Sequence, residues 1–175
     1  MKSLSRLFIT YISILTMGYL ISCSSDKKDD NNPLNPGTNS DSKITMSLNG
    51  DGFVNQSITL SNGISTYSVS ENSTAIAFNG KVGDDSLFFY IVFSGNQSGT
   101  KNWDTNNGVI MYKSNSGNNL SYMGISNGTI VVSTYGSVGS KVSGTLSGQI
   151  INTSTSNTID ITNGSFAGTR ITDVP

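Results

Sequence analysis

Val142-Ser143-Gly144-Thr145-Leu146-Ser147-Gly148-Gln149-Ile150 alternates without a break between apolar or small residues and hydroxyl or amide side chains. A period of two sends successive side chains to opposite faces of a pleated strand. The stretch therefore predicts a strand with Val142, Leu146 and Ile150 on a core and Ser143, Thr145 and Ser147 in water. A second stretch, Leu87-Phe88-Phe89-Tyr90-Ile91-Val92-Phe93, is apolar on both pleat faces. It predicts a central strand covered on each side, with Phe88, Tyr90 and Val92 either beneath a loop or opposing sheet, or lining a cavity for an apolar ligand.

Outward from these two stretches the texture is the same from Lys43 to near the C-terminus. Short β-branched and aromatic runs are cut about every 8 to 12 positions by turn residues, and no run of helical period is long enough for a helix. Strands are expected at 44–49, 57–60, 65–69, 74–81, 86–93, 100–103, 108–113, 120–123, 129–135, 141–152, 157–162 and 165–171. Asn-Gly recurs at 49–50, 62–63, 79–80, 107–108, 127–128 and 163–164. Each pair suits a tight turn that needs positive φ, so all six read as hairpin signals. The fold class expected is all-β, an antiparallel β-sandwich of about ten to twelve short strands, with an up-and-down or calycin-like β-barrel as the alternative.

The N-terminus has a different chemistry. Lys2 and Arg6 precede an apolar run, Leu7 to Ile21, broken only by Thr, Ser and Gly. It is shorter than the roughly 20 apolar residues a spanning helix needs, as expected of a signal peptide over 1–22. Leu20-Ile21-Ser22-Cys23 resembles the lipobox of bacterial lipoproteins. The resemblance implies cleavage between Ser22 and Cys23, with diacylglycerol on the thiol and an acyl chain on the new amine. Three acyl chains should hold stably where one myristoyl-sized chain binds only marginally. Cys23 is the single Cys, so an intrachain disulfide is excluded.

Residues 23–42 read as the lipidated Cys and a tether, with residues 43–175 as one all-β domain. Ser24 to Ser42 holds two of the three Pro and one large apolar residue, Leu34. As a flexible chain it would span about 25 Å on average and at most about 65 Å. Asp26-Lys27-Lys28-Asp29-Asp30 resembles the surface-export signals of Bacteroidota lipoproteins, which implies the outer membrane with the domain at the cell surface. If these charges are only a solvated linker, the domain faces the periplasm.

Composition narrows the chemistry. The chain carries 10 Lys+Arg and 11 Asp+Glu. Removal of Lys2 and Arg6 with the signal peptide leaves 8 against 11, a net charge of −3, which offers no attraction to nucleic acid. There is no His, which excludes Ser-His-Asp and Cys-His nucleophile systems and His-liganded zinc. The carboxylates Asp51, Glu71, Asp84, Asp85, Asp104 and Asp160 remain. Two of them could flank a glycosidic bond, yet most sit in turns where Asp serves the backbone. No catalytic residue and no cofactor beyond the Cys23 lipid is expected.

Three candidate sites follow. Trp103 stands at a strand end, with Tyr112 and Tyr122 in the next two strands, and aromatic faces beside Asn and Asp suit sugar stacking, but a core or corner position for Trp103 is the favoured reading. Asp104 and Asn106 offer oxygens resembling the start of a calcium loop, although the spacing is one residue short and the Glu is missing. Asp85-Ser86-Leu87 fits the Bacteroidota O-glycosylation pattern at Ser86.

Val142-Ser-Gly-Thr-Leu-Ser-Gly, then Ile159-Asp-Ile-Thr-Asn-Gly-Ser-Phe and a closing Arg170, resemble the C-terminal hairpin of a group of small Bacteroidota outer-membrane lipoproteins of unknown function. Gly99-Thr100 before Trp103 and the opening 44–54 are similar to the same group, with Leu146 where an aromatic is commoner. The resemblance implies an all-β fold and lipoprotein status, and carries over no catalytic residue. The function expected is a surface-exposed, non-catalytic structural, adhesive or protein-interaction module held to the membrane by its lipid. A glycan-binding lipoprotein is the alternative. An apolar-ligand carrier, an immunity-type lipoprotein and a hydrolase rank below it.

Overall fold

The computed structural model describes residues 41–115 and 118–175. They form ten strands in one sheet: β1 (Ile44–Gly50), β2 (Phe53–Ser68), β3 (Ser73–Val82), β4 (Asp85–Ser94), β5 (Gly99–Asn102), β6 (Gly108–Asn115), β7 (Asn118–Gly124), β8 (Gly128–Tyr135), β9 (Lys141–Asn152) and β10 (Thr158–Val174). The all-β expectation is met. The expected signal peptide, the expected lipidation site at Cys23 and the expected tether up to residue 40 lie outside the described residues.

Ten strands rather than twelve arise because the two Asn-Gly pairs at 62–63 and 163–164, expected between strands, each lie inside one. Asn62 and Asn163 take positive φ, 56° and 54°, but as bulges inside β2 and β10, where the register slips between Ser61 and Ile64 and between Ile161 and Gly164. Asn has an unusual tolerance for this conformation, and a bulge uses it to bend a strand without ending it. The expected strands 57–60 and 65–69 thus fuse into β2, and 157–162 and 165–171 into β10. At Gly63 a Cβ would stand 2.5 Å from the Phe78 ring and 2.6 Å from the Ala167 carbonyl oxygen, so the bend also requires the missing side chain. Asn79-Gly80 is simply part of β3, whereas the pairs at 49–50 and 127–128 do sit at strand connections.

The bends determine the topology. β1 lies between the first half of β2 and the first half of β10, antiparallel to both. Two strands antiparallel to the same neighbour are parallel to each other. Where β1 begins, at Ile44, the bent halves therefore meet as a parallel pair, Ile64 opposite Thr169 through Ser68 opposite Val174. This pairing corrects the purely antiparallel expectation. It also completes a circuit of hydrogen-bonded neighbours, β2–β3–β4–β6–β7–β9–β10 and back to β2.

Inside the circuit lie Leu87, Phe89, Ile91 and Phe93 of β4, all fully buried, with Ile76 and Phe78 of β3, Met111 of β6, Tyr122 of β7 and Phe166 of β10. The other face of β4 points outward. Val92 is buried, Tyr90 half-buried in an edge-to-face contact with Tyr112, and Phe88 41 % exposed. The interior is thus occupied by Phe89 and its neighbours, and Phe88, Tyr90 and Val92 do not line it.

β9 behaves as its alternation predicts. Val142, Leu146 and Ile150 are buried; Thr145 and Ser147 are exposed. One side of β9 pairs with β8 along Val142–Gly148 and then with β7 at Ile151 and Asn152. β7 and β8 therefore part company over β9, and Trp103, just after β5, fills the gap.

Candidate functional site

The structure disperses the aromatic trio. Trp103 is 6 % exposed, with its amide hydrogen-bonded to the Gly128 carbonyl at 2.8 Å. Its indole lies in a slot made by three glycines: a Cβ on Gly124, Gly128 or Gly148 would stand 2.5, 2.1 or 2.7 Å from the ring. Tyr122 is fully buried, opposite Met111. Tyr112 is half-buried on the outward face, opposite Ser121, where burial pushes its phenol pKa up. Adjacent residues of a strand face opposite ways, so Tyr112 and Tyr122 do not share a surface. Trp103 takes the core position that the sequence favours over a sugar-stacking one.

The Asp104 carboxylate is used within its own turn. Oδ1 accepts the amides of Asn106 at 2.7 Å and Asn107 at 2.9 Å, and both oxygens accept the Asn107 side-chain amide at 3.0 Å. This is the backbone-organising role of Asp in turns. Among the described residues no group of three or more Cys, Asp or Glu converges on one point. Ser86 is half-buried at the start of β4, between Lys81 and Ser114 of the neighbouring strands.

Other polar side chains tie the strand ends together, several of them through partners distant in sequence. Asp51, in the β1–β2 turn, accepts Asn152 Nδ2 at 3.0 Å and Asn157 Nδ2 at 2.8 Å from the β9–β10 connection. These bonds hold its pKa below 3.8. Nearby, Lys113 Nζ pairs with Asp85 at 2.9 Å and lies 5.0 Å over the Phe53 ring; the pairing lowers the Asp85 pKa as well. Burial, and after it the neighbouring Asp51 carboxylate, push the Tyr122 phenol up to about 12. At the other end Arg170 grips Asp173 through Nε and Nη2 at 2.6–3.0 Å and donates Nη1 to the Gly136 carbonyl. Its guanidinium lies 5.1 Å from the Tyr135 ring. Each of these clusters closes an end of the fold.

The open surface lies elsewhere, on the outward face of β2, β1, β10, β9, β8 and β5. Register places Thr59, Thr45, Ser165, Thr145, Val131 and Thr100 side by side across six strands. Beside that row run Ser57, Ser47 and Thr162, and then Ser147 and Thr129. None of these hydroxyls has a hydrogen-bond partner among the described residues. A groove of about 350 Å³ crosses the face, lined by Thr45, Ser133, Ser143, Thr145 and Ser165, with Asp41 and Lys43 at its end. Lys141 pairs with Asp41 there at 3.3 Å. At the opposite end Asp160 accepts Gln149 Nε2 at 2.9 Å. The alternation of β9 shows one strip of this face in the sequence; the pairing that extends it across six strands has no local signal.

No family model, curated protein or solved structure matches the chain.

Proposed function

We propose that this chain is a lipid-anchored, non-catalytic adhesive module of the bacterial envelope, held to the outer membrane through Cys23 and presenting its β domain at the cell surface. The observation that carries the reading is the outward face of β1, β2, β5, β8, β9 and β10: uncharged along its central row, rich in hydroxyls without partners among the described residues, and bearing a groove over β1, β10, β9 and β8. A surface of this kind is suited to contact rather than chemistry. At the ends, Lys113 is paired with Asp85 and Arg170 with Asp173, and Asp51 is held by the side-chain amides of Asn152 and Asn157. The Leu20-Ile21-Ser22-Cys23 sequence and its resemblance to the lipobox support the anchor, and the tether lets the domain stand clear of the bilayer.

Expression of the full chain in a Gram-negative host with an alkyne fatty acid tests the anchor. The expected result is lipid labelling that Cys23→Ala abolishes, with the β domain open to protease added outside intact cells. Beads carrying the detergent-purified full chain should adhere to envelope or matrix preparations. Absence of both label and adhesion would remove the proposal.

A further inference from the structure

We infer that the hydroxyl face binds a neutral, extended polysaccharide lying across the strands, along the row Thr59, Thr45, Ser165, Thr145 and Thr100. This inference rests on the adhesive reading and names its ligand. The row belongs to strands β2, β1, β10, β9 and β5, with Val131 of β8 the one position without a hydroxyl. Neighbouring strands lie about 4.8 Å apart, so hydroxyls recur along the row at that spacing. An extended chain of pyranose rings advances by about one strand spacing per ring, and can therefore meet each strand with an equivalent group.

The donor chemistry narrows the class. A Ser or Thr hydroxyl both donates and accepts, which matches sugar hydroxyls in either orientation, and these hydroxyls have no partner within the described chain to give up. Fixed charges lie only at the margins, Asp41, Lys43 and Lys141 at one end and Asp160 at the other. An anionic polymer would find no row of cations. A protein partner is disfavoured because stable protein interfaces centre on aromatic and aliphatic anchors, which this row lacks. The twist between adjacent strands, about 20–25°, also disfavours a rigid planar lattice, whereas a flexible chain can follow it. Since each neutral hydrogen bond gained from water contributes little, affinity must accumulate along the row, which requires a repeating ligand. Thr45, Thr145 and Ser165 of that path also line the groove.

Affinity electrophoresis of the detergent-purified full chain in gels carrying dextran, hydroxyethyl cellulose or galactomannan, with a heparin control, tests the inference. The wild-type chain should bind at least one of the three neutral polymers with no loss at high salt. Thr45→Val, Thr145→Val and Ser165→Ala together should weaken binding by about tenfold or more, with unchanged Trp103 emission and melting temperature. Binding that survives the triple substitution, or that occurs only on heparin and fades with salt, overturns the inference. If no neutral polymer binds while beads still adhere to a protein-coated surface, the polysaccharide assignment falls and the adhesive reading stands. If neither assay shows binding, both fall.

Discussion

Trp103 fits a slot that three glycines from three different strands leave open, so its environment is a packing device at the place where β7 and β8 diverge. Trp103→Ala should lower the unfolding free energy by about 3–5 kcal/mol, the usual loss for a buried aromatic. Gly128→Ala drives a methyl into the indole and should cost about 1–3 kcal/mol while shifting Trp103 emission. Urea titrations check both; an unchanged midpoint for Trp103→Ala would mean that the ring is not buried. Titratable groups give a second prediction at this scale. The Asp51 and Asp85 pKa values are depressed by their partners, so their contribution is present above the ordinary carboxylate value of 3.8 and is lost as pH falls below it. Tyr122 is raised to about 12 from 10.0, so its contribution is present below pH 10 and is lost as pH rises towards 12. The urea midpoint should hold a plateau between these limits and fall on either side, and Asp51→Asn should shallow the acid limb, whereas Tyr122→Phe should shallow the alkaline one.

Bends in β2 and β10, the two longest strands, let each serve two partners. Asn62→Val places a β-branched residue at φ 56° and should destabilise by about 1–2 kcal/mol, while Asn62→Gly should stay within about 0.5 kcal/mol of the parent. Equal effects of the two substitutions in thermal denaturation would contradict the bulge. These same residues show where sequence reading stops. Asn-Gly states that the chain can take positive φ, which is a local property. Whether it turns back or continues with a kink depends on what flanks it, here β1 on one side and Phe78 and Ala167 against Gly63 on the other. The alternation of β9 was legible because side-chain period is also local. The partners of Asp51, 101 and 106 residues away, and the six-strand hydroxyl row were not, because both exist only through register. Trp103 was ambiguous for the same reason: its slot is assembled from Gly124, Gly128 and Gly148, which carry no signal individually.

At the scale of the described domain, the parallel β2–β10 pairing completes the circuit of paired strands, with Arg170 fastening the same end to the β8–β9 connection. Ending the chain after Gly168 removes that pairing together with Arg170 and Asp173. It should replace a cooperative thermal transition with a broad one, as seen by far-ultraviolet circular dichroism; a sharp transition near the parent midpoint would show that closure is dispensable. Closure leaves two unlike outward surfaces, one bearing Phe88, Tyr90 and Tyr112 and the other the hydroxyl rows. Binding belongs to the second in the proposal made above. A photocrosslinking side chain placed at Thr145 or, separately, at Tyr112 of the full chain in intact cells decides the matter most directly. Adducts of increased mass that a neutral-polysaccharide hydrolase removes should form from position 145 and not from 112; adducts from 112 alone would contradict the account.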